Sequence, residues 1–275
     1  MRVLVAGAGY VGAVVASRLA EAHHQVTGWV AHEDSAKLLS KKGVTPFVGD
    51  VSRDSDWKRL GESWDAMVYA VSTSGGQPEA YRNVHEIGLN HALQLGKSIP
   101  FIYTSSTSVY HQTTGEWVTE DSPTQPTAEG SQILLEAEAQ VLQSQGVVLR
   151  LAGIYGPERS VYLKKIREGS ATLPSGGQRW VNQIHRDDAA HAILWALHSG
   201  QAGSVFNVCD DEPVLLADLY IWLAEKLKVN PPPTTDEEPT RKRGLTSKRV
   251  SNAKISALGW RPHFRTFREG YLPLL

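Results

Sequence analysis

Residues 3–12 read Val-Leu-Val-Ala-Gly-Ala-Gly-Tyr-Val-Gly, an apolar run that passes directly into G-x-G-x-x-G at Gly7, Gly9 and Gly12. Such a junction requires a strand, a tight turn and a helix packed back on the strand. The first glycine permits the turn, the second lets a pyrophosphate approach the backbone, and the third lets helix and strand come close. The spacing predicts a helix over Tyr10–Ala22, with Val11, Val14, Val15 and Leu19 on its apolar face. Its first N–H groups point at the phosphates. A strand over Gln25–Val30 completes one βαβ unit. The alternative is a structural turn in an α/β protein that holds no nucleotide. A signal peptide is not expected, because glycines interrupt the apolar run and no small-residue cleavage site ends it.

Short apolar runs alternate with helical patterns through the first 150 residues. Predicted strands are Arg2–Ala6, Gln25–Val30, Thr45–Val48, Ala66–Tyr69, Pro100–Ser105 and Val147–Leu151. Predicted helices between them are Tyr10–Ala22, Glu33–Lys42, Asp56–Leu60, Pro78–Leu95 and Thr127–Gln145. The alternation implies an α/β fold, a doubly wound parallel sheet of Rossmann type. Right-handed crossovers favour the strand order 3-2-1-4-5-6, with the ligand outside the carboxyl ends at the switch between strands 1 and 4.

After Leu151 the rhythm changes. Gly153-Ile154-Tyr155-Gly156-Pro157 is expected to be a turn and Gly169–Gly177 a loop. A helix at Arg186–His198, a strand at Ser204–Val208 and a helix at Leu215–Leu227 follow. Asn230-Pro231-Pro232-Pro233 then breaks the chain before a polar stretch up to Ser247. The expected division is a dinucleotide-binding core over 1–152, with elements near 181–208 returning to it. A small C-terminal substrate lobe is then built from 153–180 and 209–275.

Composition excludes several classes. With 275 residues and 41% hydrophobic content the chain can bury a large core. One cysteine, Cys209, forbids an intramolecular disulfide and points to a reducing, cytoplasmic setting. No apolar run approaches a membrane span. A net charge of −1 gives no global basic field for nucleic acid. The ten histidines show no zinc spacing, so no metal is expected. No G-x-S-x-G occurs, which argues against an α/β-hydrolase nucleophile.

The fifth strand ends in Tyr103-Thr104-Ser105-Ser106-Thr107-Ser108-Val109-Tyr110, placing hydroxyls at the sheet's carboxyl edge. These can hydrogen-bond a substrate oxygen, or they form an ordinary Ser/Thr turn. Other short patterns recur along the chain. They are Gly49-Asp50-Val51, Ser105-Ser106-x-x-Val109-Tyr110, Arg150-x-x-x-Ile154-Tyr155-Gly156-Pro157, Ile184-His185-x-Asp187-Asp188 and Leu258-Gly259-Trp260-x-Pro262. Together with the glycine turn, and in this order, they resemble the extended short-chain dehydrogenase/reductases, the NAD-dependent epimerase/dehydratase family. The resemblance runs nearly end to end and is compatible with a homodimer.

That resemblance implies a set of site residues. Gly7, Gly9, Tyr10, Val11 and Gly12 match the dinucleotide turn. Asp50 and Val51 match the pair that flanks the adenine, and Ala70 begins the edge beside the cofactor. Ser106 matches the catalytic Ser/Thr, and Tyr155-Gly156-Pro157 a loop between nicotinamide and substrate. The family's chemical centre is Tyr-x-x-x-Lys, whose tyrosine exchanges a proton with the substrate oxygen. Here Ala128 and Gln132 occupy those places, and no tyrosine lies anywhere from 111 to 154. Gln132 can hydrogen-bond a ribose but carries no charge. Tyr110, Tyr155, Glu129 and His185 are the candidates for the proton work. His185 with Asp187 and Asp188 also reads as a structural helix cap.

At the end of strand 2 the expected ribose-binding acid is replaced by Val30, with His32, Glu33, Asp34 and Lys37 close by. His32 and Lys37 could meet a 2′-phosphate, which tilts the cofactor slightly toward NADP over NAD. The basic run Arg241-Lys242-Arg243 with Lys248-Arg249 is either a solvated face or a clamp for a phosphorylated substrate. Two functions compete. One is an NAD(P)-dependent oxidoreductase or epimerase acting on a nucleotide sugar or related polar metabolite. The other is a non-catalytic NAD(P)-binding regulator, and a lyase or isomerase with a fixed dinucleotide is a third, weaker reading.

Overall fold

The computed structural model describes residues 1–61, 63–73, 76–199, 201–236 and 246–275. The chain opens with β1 (Arg2–Ala6), α1 (Gly12–Glu21), β2 (Gln25–Val30), α2 (Glu33–Ser40), β3 (Thr45–Val48), α3 (Asp54–Leu60) and β4 (Ala66–Tyr69). Next come α4 (Pro78–Arg82), a π-helical turn at Asn83–Gly88, α5 (Leu89–Leu95) and β5 (Phe101–Ser106). β6 (Trp117–Val118), α6 (Glu129–Gln143), β7 (Val147–Leu151), β8 (Gly153–Tyr155) and α7 (Val161–Arg167) follow. The later elements are β9 (Leu173–Pro174), β10 (Trp180–Val181), β11 (Gln183–His185), α8 (Arg186–Ser199), β12 (Val205–Val208) and β13 (Val214–Leu215). The chain closes with α9 (Leu216–Leu227), β14 (Thr234–Thr235), β15 (Arg249–Val250), α10 (Ala253–Ala257) and α11 (Phe267–Tyr271).

Seven strands form one parallel sheet in the order β12-β7-β5-β4-β1-β2-β3. This is the doubly wound Rossmann arrangement, with β12 added beside the sixth expected strand. Its central strand carries no polar side chain from Val3 to Ala6, and all four residues are fully buried. A parallel strand covered by helices on both faces needs that composition. β1 pairs with β2 from Arg2–Gln25 to Ala6–Trp29, and with β4 from Val3–Ala66 to Ala6–Tyr69.

The chain divides into two compact units. The first comprises Met1–Val109, Pro126–Arg150 and Ala190–Phe206. The second comprises Tyr110–Gln125, Leu151–Ala189 and Asn207–Leu275. These limits differ from the expected ones at 110–125, 151–152, 181–189 and 207–208, all of which cluster with the second unit. Its apolar core includes Leu163, Ile166, Leu219, Leu223 and Phe267.

Two local expectations are corrected. Residues 153–155 are not a turn: they form β8, paired in parallel with β11 in the register Gly153–Gln183 to Tyr155–His185. The expected helix Pro78–Leu95 is interrupted by the π turn. The Tyr69 hydroxyl donates to the Val84 carbonyl at 2.6 Å, and Tyr103 Oη lies 2.9 Å from His85 Nδ1. Both tyrosines stand on strands of the sheet, so the wider turn is set by tertiary bonds. Local propensity carries no trace of it.

One buried ion pair ties α6 to the sheet. Arg150 Nη2 lies 2.7 Å from Glu138 Oε2, and its Nε lies 3.1 Å from both carboxylate oxygens. Ser105 Oγ donates to Glu138 Oε1 at 2.5 Å. Both charged residues are buried. Burial of such a pair is tolerable only because the contacts are bidentate and the remaining oxygen is satisfied.

Glu138→Ala should therefore lower the unfolding free energy by about 3–5 kcal/mol in urea denaturation, and Glu138→Gln by less. A second expectation concerns pH. Burial holds the His85 imidazole down at about 4, below its ordinary value. The unfolded chain thus binds the proton first, and stability falls as pH drops from about 6.5 toward 4. Urea titrations across that range should show this component in the parent protein and its loss in His85→Asn.

Candidate functional site

The turn between β1 and α1 is shaped by contacts that exclude side chains. Gly7 has φ +87°, and a Cβ there would overlap the backbone of Ala70 and Val71 at the end of β4. A Cβ on Gly12 would overlap the Gly7 carbonyl oxygen. A Cβ on Gly9 meets nothing within 4 Å. The three glycines therefore differ in kind: two are demanded by packing, and one borders open space. The Gly7 and Ala8 N–H groups donate to the Trp29 carbonyl at 3.1 and 2.8 Å, which fixes the turn against β2. The Ala70 N–H donates to Ala6 O at 2.8 Å. Helix α1 starts after Val11, which offers no capping side chain. Tyr10 lies half-buried in the same turn and Val11 is buried.

Asp50 and Val51 follow β3 on the same carboxyl edge. The Asp50 Oδ1 accepts from the N–H and the hydroxyl of Ser52 at 2.9 and 2.8 Å. The Asp50 N–H donates to Asp56 Oδ2 at 2.9 Å, and Trp57 Nε1 donates to the Val51 carbonyl at 2.7 Å. The Asp50 amide and the Arg59 guanidinium hold the Asp56 carboxyl below its usual range. Sequence reasoning missed Asp56 and Trp57. The available signal was a tryptophan beside an acid in the first turns of a short helix just after Gly49-Asp50-Val51.

Ser106 ends β5 and is half-buried. Its Oγ accepts the Ser108 N–H at 3.1 Å, while Ser131 of α6 donates to Ser108 Oγ at 3.1 Å. Helix α6 begins after Ala128, whose φ of −81° and ψ of 125° mark the chain's entry. Gln132 is exposed, and its Nε2 donates to Pro126 O at 3.1 Å. Glu129 is paired with Arg82. Glu138 was also missed, although an acid at the border of the Ile133, Leu134, Ala137 and Val141 face implies a partner in the core.

Both candidate tyrosines lie in the protein interior. Tyr110 is fully buried and donates to Asn207 Oδ1 at 2.8 Å. Tyr155 is 2% exposed and stacked on Tyr271 with ring centroids 4.5 Å apart. Burial, reinforced by nearby Asp210, drives its hydroxyl far above the ordinary tyrosine value. His185 is also buried, its Nδ1 accepting the Asp187 N–H at 3.2 Å as a cap on α8. Burial lowers its pKa. Asp188 accepts the N–H groups of His263 and Phe264 at 2.7 and 3.0 Å.

His32 is exposed at the start of α2. Lys37, expected to meet a phosphate, lies 3.1 Å from Asp34 Oδ1. Both side chains of this pair are exposed to solvent. Of the basic run, Arg241, Lys242 and Arg243 lie outside the described residues. Lys248 is buried and donates to Tyr110 O and Thr246 Oγ1 at 3.0 and 3.2 Å. Burial pushes its amine down to about 8. Arg249 lies 5.1 Å from the ring centres of both Trp117 and Trp180. Among the described residues no group of three or more His, Cys, Asp or Glu side chains is placed to hold a metal ion. No described helix is long and apolar enough to cross a membrane.

A parallel seven-stranded sheet with its glycine turn beside β4 defines a Rossmann protein of the short-chain dehydrogenase/reductase type. Residues 3–209 match the NAD dependent epimerase/dehydratase family, and the chain belongs to it. Protein YeeZ of Escherichia coli (strain K12) is 29% identical over 241 residues, covering 84% of this chain and 85% of YeeZ. A conserved protein of unknown function from Silicibacter pomeroyi superposes with a TM-score of 0.80 at 27% identity, covering 99% of this chain and 97% of its own. The NAD complex of Thermus thermophilus UDP-glucose 4-epimerase gives a TM-score of 0.84 at 21% identity, covering 98% of this chain and 96% of its own. That last likeness is one of fold. The NAD-dependent family does not support the tilt toward NADP.

The glycine geometry separates fold from ligand. Gly12→Ala should cost about 1–3 kcal/mol by overpacking, whereas Gly9→Ala should stay within about 1 kcal/mol of the parent. Thermal and urea unfolding of both variants checks this contrast.

Proposed function

We propose that the chain binds NAD(H) at the carboxyl ends of β1, β3 and β4. We further propose that it acts as an oxidoreductase or epimerase on a nucleotide sugar or related polar metabolite. The observation that carries this reading is the glycine cradle, closed to any Cβ at Gly7 and Gly12 and open beside Gly9. A pyrophosphate would lie in that opening, before the positive end of the ten-residue helix α1. Gly7, Gly9, Tyr10, Val11 and Gly12 would hold the phosphates. Asp50 and Val51 would flank the adenine, and His32 the adenosine ribose. Ala70 and Gln132 would border the nicotinamide half.

When bound, the dinucleotide supplies a hydride donor or acceptor. The chain's own part is to orient the reacting oxygen. Ser106 suits this because its Oγ accepts from the Ser108 N–H, which leaves its hydrogen to donate. Alanine at 128 transfers no proton, and uncharged Gln132 lowers no neighbour's pKa. Proton transfer therefore falls to a group other than a tyrosine on α6. The second reading is a non-catalytic NAD(P)-binding regulator. It is favoured by the same two positions, and by the burial of Tyr110 and Tyr155.

Calorimetric titration should give tighter binding of NADH than of NADPH. Gly9→Val should abolish that binding while the protein stays folded. A panel of nucleotide sugars and carbonyl compounds, followed by cofactor absorbance, should then reveal turnover that Ser106→Ala lowers about a hundredfold. Tight binding without turnover on any member of the panel selects the regulator. Absence of binding removes both readings.

A further inference from the structure

The loop Gly49-Asp50-Val51 takes its shape from α3. Asp56 Oδ2 accepts the Asp50 N–H at 2.9 Å, and the neighbouring Trp57 Nε1 donates to the Val51 carbonyl at 2.7 Å. Two consecutive side chains of one helix thus fix an amide and a carbonyl of two consecutive loop residues. Both residues are buried, Asp56 at 8% and Trp57 at 6% exposure. Asp56 is itself held by Arg59 Nη1 at 2.8 Å.

Trp57 also reaches the glycine turn through one ring. Its centroid lies 4.5 Å from that of Trp29, and Trp29 meets Phe47 edge-on at 4.9 Å. The Trp29 carbonyl is the acceptor for the N–H groups of Gly7 and Ala8. Loop and turn, which follow different strands, are therefore braced by one pair of indoles. A phenylalanine at 57 would supply the apolar contact with Trp29. Only an indole N–H also holds the Val51 carbonyl.

Building on the dinucleotide reading above, we infer that Asp56 and Trp57 are positioning residues for the adenine half of the cofactor. They act through the Asp50 amide and the Val51 carbonyl rather than by touching the ligand. The arrangement predicts a defect confined to one half of the dinucleotide, because the nicotinamide end depends on other strands.

Calorimetry with NAD, 5′-AMP and nicotinamide mononucleotide tests this on the 275-residue chain. Trp57→Phe should weaken NAD and AMP about fivefold, the worth of one neutral hydrogen bond, and leave the mononucleotide unchanged. Asp56→Asn, which keeps an acceptor oxygen but loses the charge facing Arg59, should give the same pattern with a smaller change. Near-UV circular dichroism establishes that each variant is folded. If Trp57→Phe does not fold, Asp56→Asn carries the comparison. Parent-like AMP affinity in the folded variants overturns the inference. So does equal weakening of AMP and the mononucleotide, which marks a general loosening of the fold. A parent protein that binds neither NAD nor AMP overturns the dinucleotide reading itself, and the inference with it.

Discussion

At the end of β1 the backbone of Gly7 lies directly against that of Ala70 and Val71, with room for a hydrogen and nothing larger. Much of the first unit's carboxyl edge depends on that approach. It sets how closely the first turn follows the β1–β4 pair. It brings the Gly7 carbonyl against Gly12, so α1 must start where it does. The Trp29 carbonyl completes the arrangement from the other side, taking two N–H groups that the turn would otherwise leave without acceptors. The concavity beside Gly9 is a by-product of these contacts.

The rest of that edge is stiffened by polar groups placed behind it. Ser105 is locked to the Glu138–Arg150 pair, so the last residues of β5 are anchored to α6 and β7 together. Tyr69 and Tyr103 reach from the sheet into the π turn and occupy Val84 and His85. In each case a buried polar group finds its partner on another element. Ser106 stands at the end of this framework with a hydroxyl hydrogen to offer. Precision of the edge comes from residues that are themselves out of reach of solvent.

Much of this was legible in the sequence for a simple reason. Strands buried on both faces must be apolar throughout, so Val3–Ala6 and Ala66–Tyr69 announced themselves, as did the glycines between them and α1. The seventh strand, Val205–Val208, was equally plain. The π turn was hidden because its causes, Tyr69 and Tyr103, lie on other elements. Residues 153–155 looked like a turn because glycine and proline flank them, yet pairing with 183–185 made them a strand. The site was legible where backbone demanded glycine. It was not legible where side chains turn inward: nothing near Tyr110 in sequence foretells its bond to Asn207.

Tyr155 carries one more implication, through its neighbour Gly270. The tyrosine oxygen occupies the space where a Cβ on residue 270 would stand, and it makes no hydrogen bond among the described residues. The two positions share a single volume. A methyl group gained at 270 requires an oxygen lost at 155, and a phenylalanine there would retain the stacking on Tyr271. Two positions far apart along the chain are thus sterically coupled. A Cβ gained at 270 alone meets a steric barrier, whereas the loss of the oxygen at 155 meets none and removes the nearest obstructing atom.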